Sequence, residues 1–179
     1  AQNARQTTLK SINTVLPETG KPDACKTFPS GFDNAPDQDT VCIDGMTVFR
    51  GRRGSEVTGI AVQAIGEKAY AGTMTVLVGL RMSDGMLTGI KVLKHAETPG
   101  LGTGMTKCEF QRQMVGFTPD GQNWTVAKDG GDIDQLSGAT ITSRSLLNAV
   151  TKAQTIWKSE RDRLLSAPAM KEGEVCHGQ

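Results

Sequence analysis

Three neighbouring segments in the middle of the chain have the pattern of β-strands, and a turn sequence joins the last two. Apolar residues recur at every second position over 60–64 and 74–80, and residues 87–93 are rich in β-branched and aliphatic side chains. Ser83-Asp84-Gly85 lies between the second and third segments, and glycine accepts the positive φ of a tight hairpin turn. The pattern predicts an antiparallel meander that leads into a loop at His95.

Helical periodicity dominates the C-terminal third of the chain, from Ser143 to about Leu165, and Pro168 ends it. The apolar stripe of this predicted helix comprises Leu146, Leu147, Val150, Ala153, Trp157 and Leu164. A shorter amphipathic helix is predicted over residues 4–16 and stops at Pro17. The predicted fold class is therefore α+β, an antiparallel sheet packed by helices.

The remaining segments carry weaker patterns. Residues 17–46 are rich in Pro, Asp, Gly and Lys and predict an irregular surface segment. Residues 105–116 suggest a short helix, and 123–126 suggest a further strand. We divide the chain into an N-terminal helix and irregular segment (1–50), one folded domain (51–168) and a C-terminal tail (169–179).

Composition excludes some classes of protein. The chain has 179 residues, enough for one domain with a core, and its formal net charge of +1 argues against a nucleic-acid-binding protein. The basic cluster at residues 50–53 is interpreted as a solvated loop. No apolar run approaches the roughly 20 residues of a membrane span, and no signal peptide is visible. Since the chain begins without Met, we interpret it as a mature or truncated form.

Two short motifs suggest a chemical role, and the first is Asp134-Gln135-Leu136-Ser137-Gly138-Ala139-Thr140. It comes directly before the long helix, whose N-terminal N–H groups and dipole favour a bound phosphate. No histidine or other obvious base lies beside Thr140 in the sequence, so its hydroxyl is better suited to be modified by another enzyme than to act as a catalytic nucleophile. The structural alternative is an ordinary helix N-cap.

The second motif, His95-Ala96-Glu97-Thr98-Pro99-Gly100-Leu101-Gly102, follows the third predicted strand. Its proline fixes one backbone angle, and its glycines allow the backbone to approach a flat ligand closely. The glycines that continue to Gly104 imitate a dinucleotide-binding fingerprint. Their spacing is wrong and no βαβ unit surrounds them, so that interpretation is rejected. The alternative for this motif is a structural turn after a strand.

Together the motifs resemble the FMN-binding domain family, which supplies the G subunit of the Rnf complex and the C subunit of the sodium-pumping NADH:quinone reductase. The resemblance covers about residues 55–160 and keeps both motifs in the family's order. It implies that a magnesium-dependent flavin transferase moves FMN from FAD to Thr140 through a phosphoester bond, and that the transferase reads Asp134. The implied cofactor contacts are Ser137, Gly138, Ala139, Thr142, Ser143, Glu97, Thr98, Gly100, Leu101 and Gly102.

The resemblance also implies a location and partners. The chain length suits the G subunit of an Rnf-type complex, in which ferredoxin–NAD electron transfer is coupled to transport of Na⁺ or H⁺. An N-terminal anchor upstream of this chain would hold the domain at the extracytoplasmic (periplasmic) face of the membrane, beside the other subunits. The chain would be part of an oxidoreductase, a translocase, without independent catalytic activity.

Four cysteines, at positions 25, 42, 108 and 176, allow three disulfide connectivities in an exported domain. They form no CxxC motif, so no zinc or haem site is predicted. We favour Cys25–Cys42, because both lie in the irregular segment, with Cys108–Cys176 as the second pair. Four reduced thiols are the alternative.

Two other functions remain open at this stage. The chain could be the flavin domain of another extracytoplasmic reductase or of a redox regulator. It could also be a cofactor-free binding module that kept the fold. The sequence contains no Ser-His-Asp triad or paired-carboxylate motif, so no catalytic residue is assigned.

Overall fold

A computed structural model describes residues 2–16, 22–25, 32–69, 72–97 and 102–177. Within these ranges, five strands form one antiparallel sheet in the order β1-β2-β3-β4-β5. The strands are β1 (Thr40–Ile43), β2 (Met46–Arg53), β3 (Glu56–Ala69), β4 (Gly72–Arg81) and β5 (Leu87–Lys94), and the helices are α1 (Gln2–Val15), α2 (Cys108–Gln111), α3 (Thr140–Ser159) and α4 (Arg161–Ser166). Short 3₁₀ turns span Pro36–Gln38, Gly102–Thr106 and Ala127–Asp129.

The predicted meander is confirmed as strands β3, β4 and β5. Gly85 in the turn before β5 has a φ of 73°, as the hairpin sequence required. The prediction that residues 17–46 are irregular is wrong at its end, because β1 and the start of β2 form a hairpin there. Asp44 and Gly45 connect these strands with φ values of 51° and 76°, the pair of positive angles of a type I′ turn. The β2 strand also crosses residue 50, where the sequence suggested a boundary.

The arginine cluster is not a solvated loop, as was predicted, but part of β2. Arg50 is only 1% exposed. Its guanidinium donates to Oδ1 of Asp39 at 2.7 and 2.9 Å and to the Leu164 carbonyl oxygen at 3.2 Å. Arg52 donates to the other oxygen of Asp39 at 2.5 Å. Pairing with a carboxylate offsets the free-energy cost of burying a charge, which is why β2 can contain a buried arginine.

Helices cover both faces of the sheet. Val76, Val78 and Leu80 face the large core beneath α3, while Leu77 faces the opposite side, where Ile12, Val15 and Leu16 of the α1 segment pack. The cross-strand pair Gly79 and Gly89 lies against Val15. A Cβ atom at position 79 would lie 2.1 Å from the Val15 carbonyl oxygen, so these glycines let the end of α1 approach the sheet closely.

Three other sequence predictions need correction. In place of the predicted helix over 105–116, the structure has the 3₁₀ turn Gly102–Thr106 and the short helix α2. Met114 and Val115 follow α2 in turns that place both side chains in the core. The predicted strand at 123–126 is an irregular loop with one parallel bridge, Val126 to Ile133. The long helix begins earlier than expected, at Thr140, and breaks at Glu160, whose φ of −121° separates α3 from α4.

The disulfide pairing was predicted wrongly. Cys25 bonds to Cys108, and Cys42 bonds to Cys176. Cys42 lies in β1, and the C-terminal segment runs beside that strand, where the Met170 N–H donates to the Thr40 carbonyl oxygen at 2.7 Å. Partners far apart in sequence therefore lie closer in space than the two cysteines of the N-terminal segment. The tail predicted over 169–179 is consequently tied to the sheet as far as Cys176.

No helix among the described residues is long and apolar enough to cross a membrane.

Candidate functional site

The loop before α3 is held at both ends by hydrogen bonds to its main chain. At its start, the Gln113 side chain accepts from the Asp134 N–H at 2.8 Å and donates to the Asp134 carbonyl oxygen at 3.0 Å. At its end, Ser143 Oγ accepts from the Leu136 N–H at 3.0 Å and donates to the Ala139 carbonyl oxygen at 3.1 Å. These four bonds fix the path of the chain towards Thr140.

Thr140 is the first residue of α3. Ala139 occupies the N-cap position, and no side chain caps this helix end. Gly138 precedes it with a φ of 71°, a left-handed conformation that glycine adopts without strain. An α-helix leaves the N–H groups of its first turn without intrahelical acceptors, here those of Thr140, Ile141 and Thr142. An alanine in place of the usual Ser, Thr, Asp or Asn keeps this end available to an anion.

The loop after β5 reaches the same end of α3. Thr142 Oγ1 donates to Oε1 of Glu97 at 2.5 Å, and both side chains are buried. Gly102 is so close that an added Cβ would lie 2.7 Å from Glu97 Cβ and 2.9 Å from Thr142 Oγ1. The sequence motifs at 95–102 and 134–143 therefore meet in space, as the resemblance implied. Thr98, Gly100 and Leu101 lie outside the described residues.

The predicted site residues divide into two groups. Asp134, Ser137 and Gly138 are exposed, and Thr140 is half-buried. The side chain of Ser143 is fully buried, and its hydroxyl and that of Thr142 make hydrogen bonds inside the protein. Their geometry supports a role in shaping the loops. His95 accepts the Glu97 N–H at its Nδ1, at 3.2 Å, a structural bond within the loop.

Sequence reasoning missed two contributors to the site. Gln113 gave no signal, because a single glutamine in a predicted short helix is an ordinary surface residue. Gly104 was considered only within the rejected dinucleotide fingerprint. A Cβ at this position would lie 3.0 Å from Leu136 Cδ2, so Gly104 makes room for the apolar residue of the first motif.

An exposed ion pair borders the first turn of α3. Arg144 donates to both carboxylate oxygens of Asp129, at 2.8 and 2.7 Å. These hydrogen bonds hold the pKa of the Asp129 carboxyl below its ordinary value and raise the pKa of Arg144. The positive charge of Arg144 beside the helix end is therefore balanced by the carboxylate of Asp129.

Comparisons with known proteins identify the family of the chain. The FMN-binding domain profile matches residues 69–155, which include the start of the site at His95 and the whole of the loop to Thr140. The G subunit of the ion-translocating oxidoreductase complex of Vibrio parahaemolyticus is 33% identical over 172 residues, which cover 93% of this chain and 79% of that protein. The chain belongs to this G-subunit family.

Other members of the G-subunit family match over a shorter range. The protein of Aliivibrio fischeri strain ES114 is 36% identical over 129 residues, which cover 69% of this chain and 60% of that protein. The protein of Shewanella piezotolerans is 37% identical over 132 residues, covering 71% and 62% respectively. The chain therefore aligns with about three fifths of the length of these two relatives.

The fold is also known from a crystal structure. NqrC of Shewanella oneidensis superposes with a TM-score of 0.56 at 15% identity, and the match covers 92% of this chain and 99% of that one. The α+β fold predicted from the sequence, an antiparallel sheet with packed helices, is thus confirmed for this member of the G-subunit family.

Proposed function

We propose that this chain is a flavin-carrying electron-transfer subunit of a membrane-bound, ion-translocating oxidoreductase complex, with FMN joined to Thr140. The proposal follows from the G-subunit family and from the position of Thr140 at the start of α3. Within the complex, electron transfer between neighbouring carriers would drive transport of Na⁺ or H⁺. The chain has no substrate of its own in this scheme.

The uncapped end of α3 is the single observation that carries the proposal. A phosphoester on Thr140 Oγ1 carries a negative charge, which the helix dipole and first-turn N–H groups stabilise. Ala139 supplies no competing side-chain oxygen at the N-cap. The attached phosphate would thus take the place of the missing cap, and the residues present fit an FMN phosphate.

Attachment requires a second enzyme and FAD. The Thr140 hydroxyl would attack the phosphorus of the FMN half of FAD, so that an Oγ1–P bond forms and the P–O bond of the pyrophosphate breaks. AMP leaves with the bonding electron pair, and the hydroxyl proton passes to a base on the flavin transferase. No histidine neighbours Thr140 in the sequence, in keeping with an external base.

The other residues of the site support the cofactor rather than react. Glu97 and Thr142 join the two loops, and Gly102 leaves room for this contact. Ile141, which is 46% exposed, offers an apolar side chain next to Thr140. When bound, FMN supplies the redox chemistry by accepting and releasing electrons.

Two disulfides support an extracytoplasmic location. Such bonds persist in oxidising compartments and are rare in the cytosol. Cys25–Cys108 and Cys42–Cys176 join positions that are 83 and 134 residues apart, and they cross-link the N-terminal and C-terminal segments to the fold. We therefore place the domain on the periplasmic side, beside the other subunits.

The test is flavin attachment in the presence of a flavin transferase, FAD and Mg²⁺. Intact-mass spectrometry should detect one FMN on the wild-type chain and none on Thr140→Val. Thr155→Val is the matched control, since Thr155 lies on the exposed side of the same helix. This variant should still carry one FMN on Thr140. If active transferase adds no FMN to the wild type, covalent attachment is refuted, which leaves a non-covalent flavin site or a cofactor-free binding module.

A further inference from the structure

The side-chain amide of Gln113 pairs with the main chain of Asp134 in the manner of a strand neighbour. Oε1 accepts from the Asp134 N–H at 2.8 Å, and Nε2 donates to the Asp134 carbonyl oxygen at 3.0 Å. One amide thereby satisfies both polar groups of a single residue that lies 21 positions further along the chain. Two bonds in parallel restrict rotation at Asp134 more than one bond could.

Gln113 is itself held in place by its neighbours. Its carbonyl oxygen accepts from Gln122 Nε2 at 2.9 Å, and the adjacent Met114 is completely buried. Gln111, in the same turn, donates from Nε2 to the Met105 carbonyl oxygen at 3.0 Å. Residues 111–114 therefore form a platform that supports Asp134, and the Gln111 bond connects this platform to the 3₁₀ turn that contains Gly102.

The main chain of Asp134 is fixed while its side chain remains accessible. Asp134 is exposed, and no hydrogen bond joins its carboxylate to any described residue. The next fixed point is Leu136, whose N–H is bound by Ser143. The structure thus holds the backbone of the motif and leaves the groups that another protein could read, the Asp134 carboxylate and the Thr140 hydroxyl, on one ordered loop.

We propose that Gln113 is a positioning residue for flavin attachment, which fixes the Asp134 main chain so that the carboxylate and the Thr140 hydroxyl are presented together to the flavin transferase. This inference rests on the proposed function. A loop that is already ordered loses less conformational entropy when the transferase binds it. Gln113 therefore acts on the affinity of the transferase for its acceptor and leaves the chemical step unchanged.

The test compares Gln113→Met, which removes both polar atoms at similar length, with Gln6→Met, the matched control. Gln6 is an exposed glutamine of α1, which packs on the opposite face of the sheet from α3. Initial rates of FMN attachment are measured against acceptor concentration, with transferase, FAD and Mg²⁺ in fixed amounts. We expect Gln113→Met to raise the KM for the acceptor about fivefold to thirtyfold, with kcat within about twofold of the wild type.

A second readout does not depend on the transferase. The Asp134 amide should be protected from hydrogen exchange in the wild type and in Gln6→Met, and its exchange should accelerate in Gln113→Met. Gln113→Glu retains an acceptor for the Asp134 N–H but sets a carboxylate oxygen against the Asp134 carbonyl oxygen, so its KM should also rise. This variant keeps the test decisive if Gln113→Met folds poorly.

The possible outcomes are separable. Wild-type KM in a Gln113→Met protein that has lost Asp134 protection overturns the positioning role. Unchanged protection of the Asp134 amide in Gln113→Met shows that the two hydrogen bonds between Gln113 and Asp134 are not formed in solution. A fall in kcat alone also contradicts the inference. If the wild-type chain accepts no FMN, the proposed function fails and this inference fails with it, whereas normal attachment to the wild type with an unaffected Gln113→Met refutes the inference alone.

Discussion

Thr142 Oγ1 donates a 2.5 Å hydrogen bond to Oε1 of Glu97, and this bond joins two sequence motifs across a separation of 45 residues. Glu97 ends the described part of the loop after β5, and Thr142 lies in the first turn of α3. Both side chains are buried. The bond therefore fixes the separation of the two loops at the place where FMN is proposed to lie.

Removing this donor should weaken the protein. We expect Thr142→Val to lower the free energy of unfolding by about 1.5–3 kcal/mol, because Oε1 of Glu97 stays buried without the hydroxyl. Thr142→Ser keeps the hydroxyl and loses one methyl group, so its cost should be about 0.8 kcal/mol. Urea unfolding measures both values, and equal losses would contradict a special contribution from the hydrogen bond.

The contact between α1 and the sheet predicts a contrast between two glycines. An added Cβ at Gly79 would lie 2.1 Å from the Val15 carbonyl oxygen, whereas at Gly59 the nearest atom is the flexible Leu16 Cδ2 at 3.3 Å. Gly79→Ala should therefore cost about 3 kcal/mol through displacement of α1, and Gly59→Ala less than about 1 kcal/mol. Thermal and urea unfolding would refute the close approach if the two substitutions cost the same.

The sequence was sufficient to predict those strands and helices in which local periodicity agrees with burial. Strands β3 to β5 were predicted because apolar residues such as Val76 and Val78 alternate towards one core. The α3 stripe was predicted because Leu146, Val150 and Ala153 recur at helical spacing and are all buried. The two site loops were predicted to meet because each motif resembled one family, and their contact through Glu97 and Thr142 agrees with that expectation.

Features that depend on distant partners could not be predicted. Arg50 was assigned to a solvated loop because only Asp39 and the Leu164 carbonyl make its burial favourable. Cys42 was paired with its neighbour in sequence, although the tail brings Cys176 beside β1. Gln113 has no local pattern at all, since its role arises from the main chain of Asp134. In each case the deciding contact joins segments that are separated in the chain.

The disulfide connectivity can be checked directly. Proteolysis without reduction, followed by mass spectrometry, should yield cross-linked peptides containing Cys25 with Cys108 and Cys42 with Cys176. Both pairs should disappear when a dithiol reductant is added before digestion. A peptide containing Cys25 linked to Cys42 would contradict the structure and restore the pairing expected from sequence proximity.

The Cys42–Cys176 bond should also contribute to stability, because it closes a long loop in the unfolded chain. Its two cysteines are 134 residues apart. Replacing both Cys42 and Cys176 by serine should lower the free energy of unfolding by about 2–4 kcal/mol and free the segment after Met170. Added reductant should then lower the stability of this variant less than that of the wild type. An unfolding midpoint equal to that of the wild type would show that the Cys42–Cys176 bond is not formed.

The hairpin before β5 should show a pH-dependent stability. Arg81 donates hydrogen bonds to both oxygens of Asp84, and these bonds lower the pKa of the Asp84 carboxyl. A carboxyl whose folded pKa is depressed stabilises the fold above its unfolded pKa, about 3.9, and loses this contribution as pH falls through the folded value. Both side chains are partly exposed, so solvent screening limits the gain to about 1 kcal/mol or less.

Asp84→Asn isolates that contribution, since the amide oxygen can still accept the Met86 N–H at the turn. The variant should be less stable than the wild type at about pH 7, and the difference should shrink as pH falls below the unfolded pKa of about 3.9. Urea unfolding at neutral pH and at acidic pH provides the comparison. A difference of the same size at the acidic end would exclude the ion pair as its source.

Ser143 distinguishes a residue that braces the loop from one that binds the cofactor. Its fully buried hydroxyl accepts from the Leu136 N–H and donates to the Ala139 carbonyl oxygen. Ser143→Ala should therefore destabilise the flavin-free protein by about 1–2 kcal/mol and accelerate hydrogen exchange at the Leu136 amide. A direct flavin ligand would instead leave the flavin-free protein unaffected and show its defect only after FMN is attached.

Ser166→Ala is the matched control for Ser143→Ala. The Ser166 hydroxyl donates to the Asp162 carbonyl oxygen at 2.6 Å, the same bond to the preceding helical turn, but it does so on an exposed helix end. Its loss should change the free energy of unfolding by no more than about 0.5 kcal/mol. If Ser143→Ala is equally mild, the buried hydroxyl does not hold the loop, and the order of residues 134–140 must depend on Gln113 and the packing of Leu136 against Gly104.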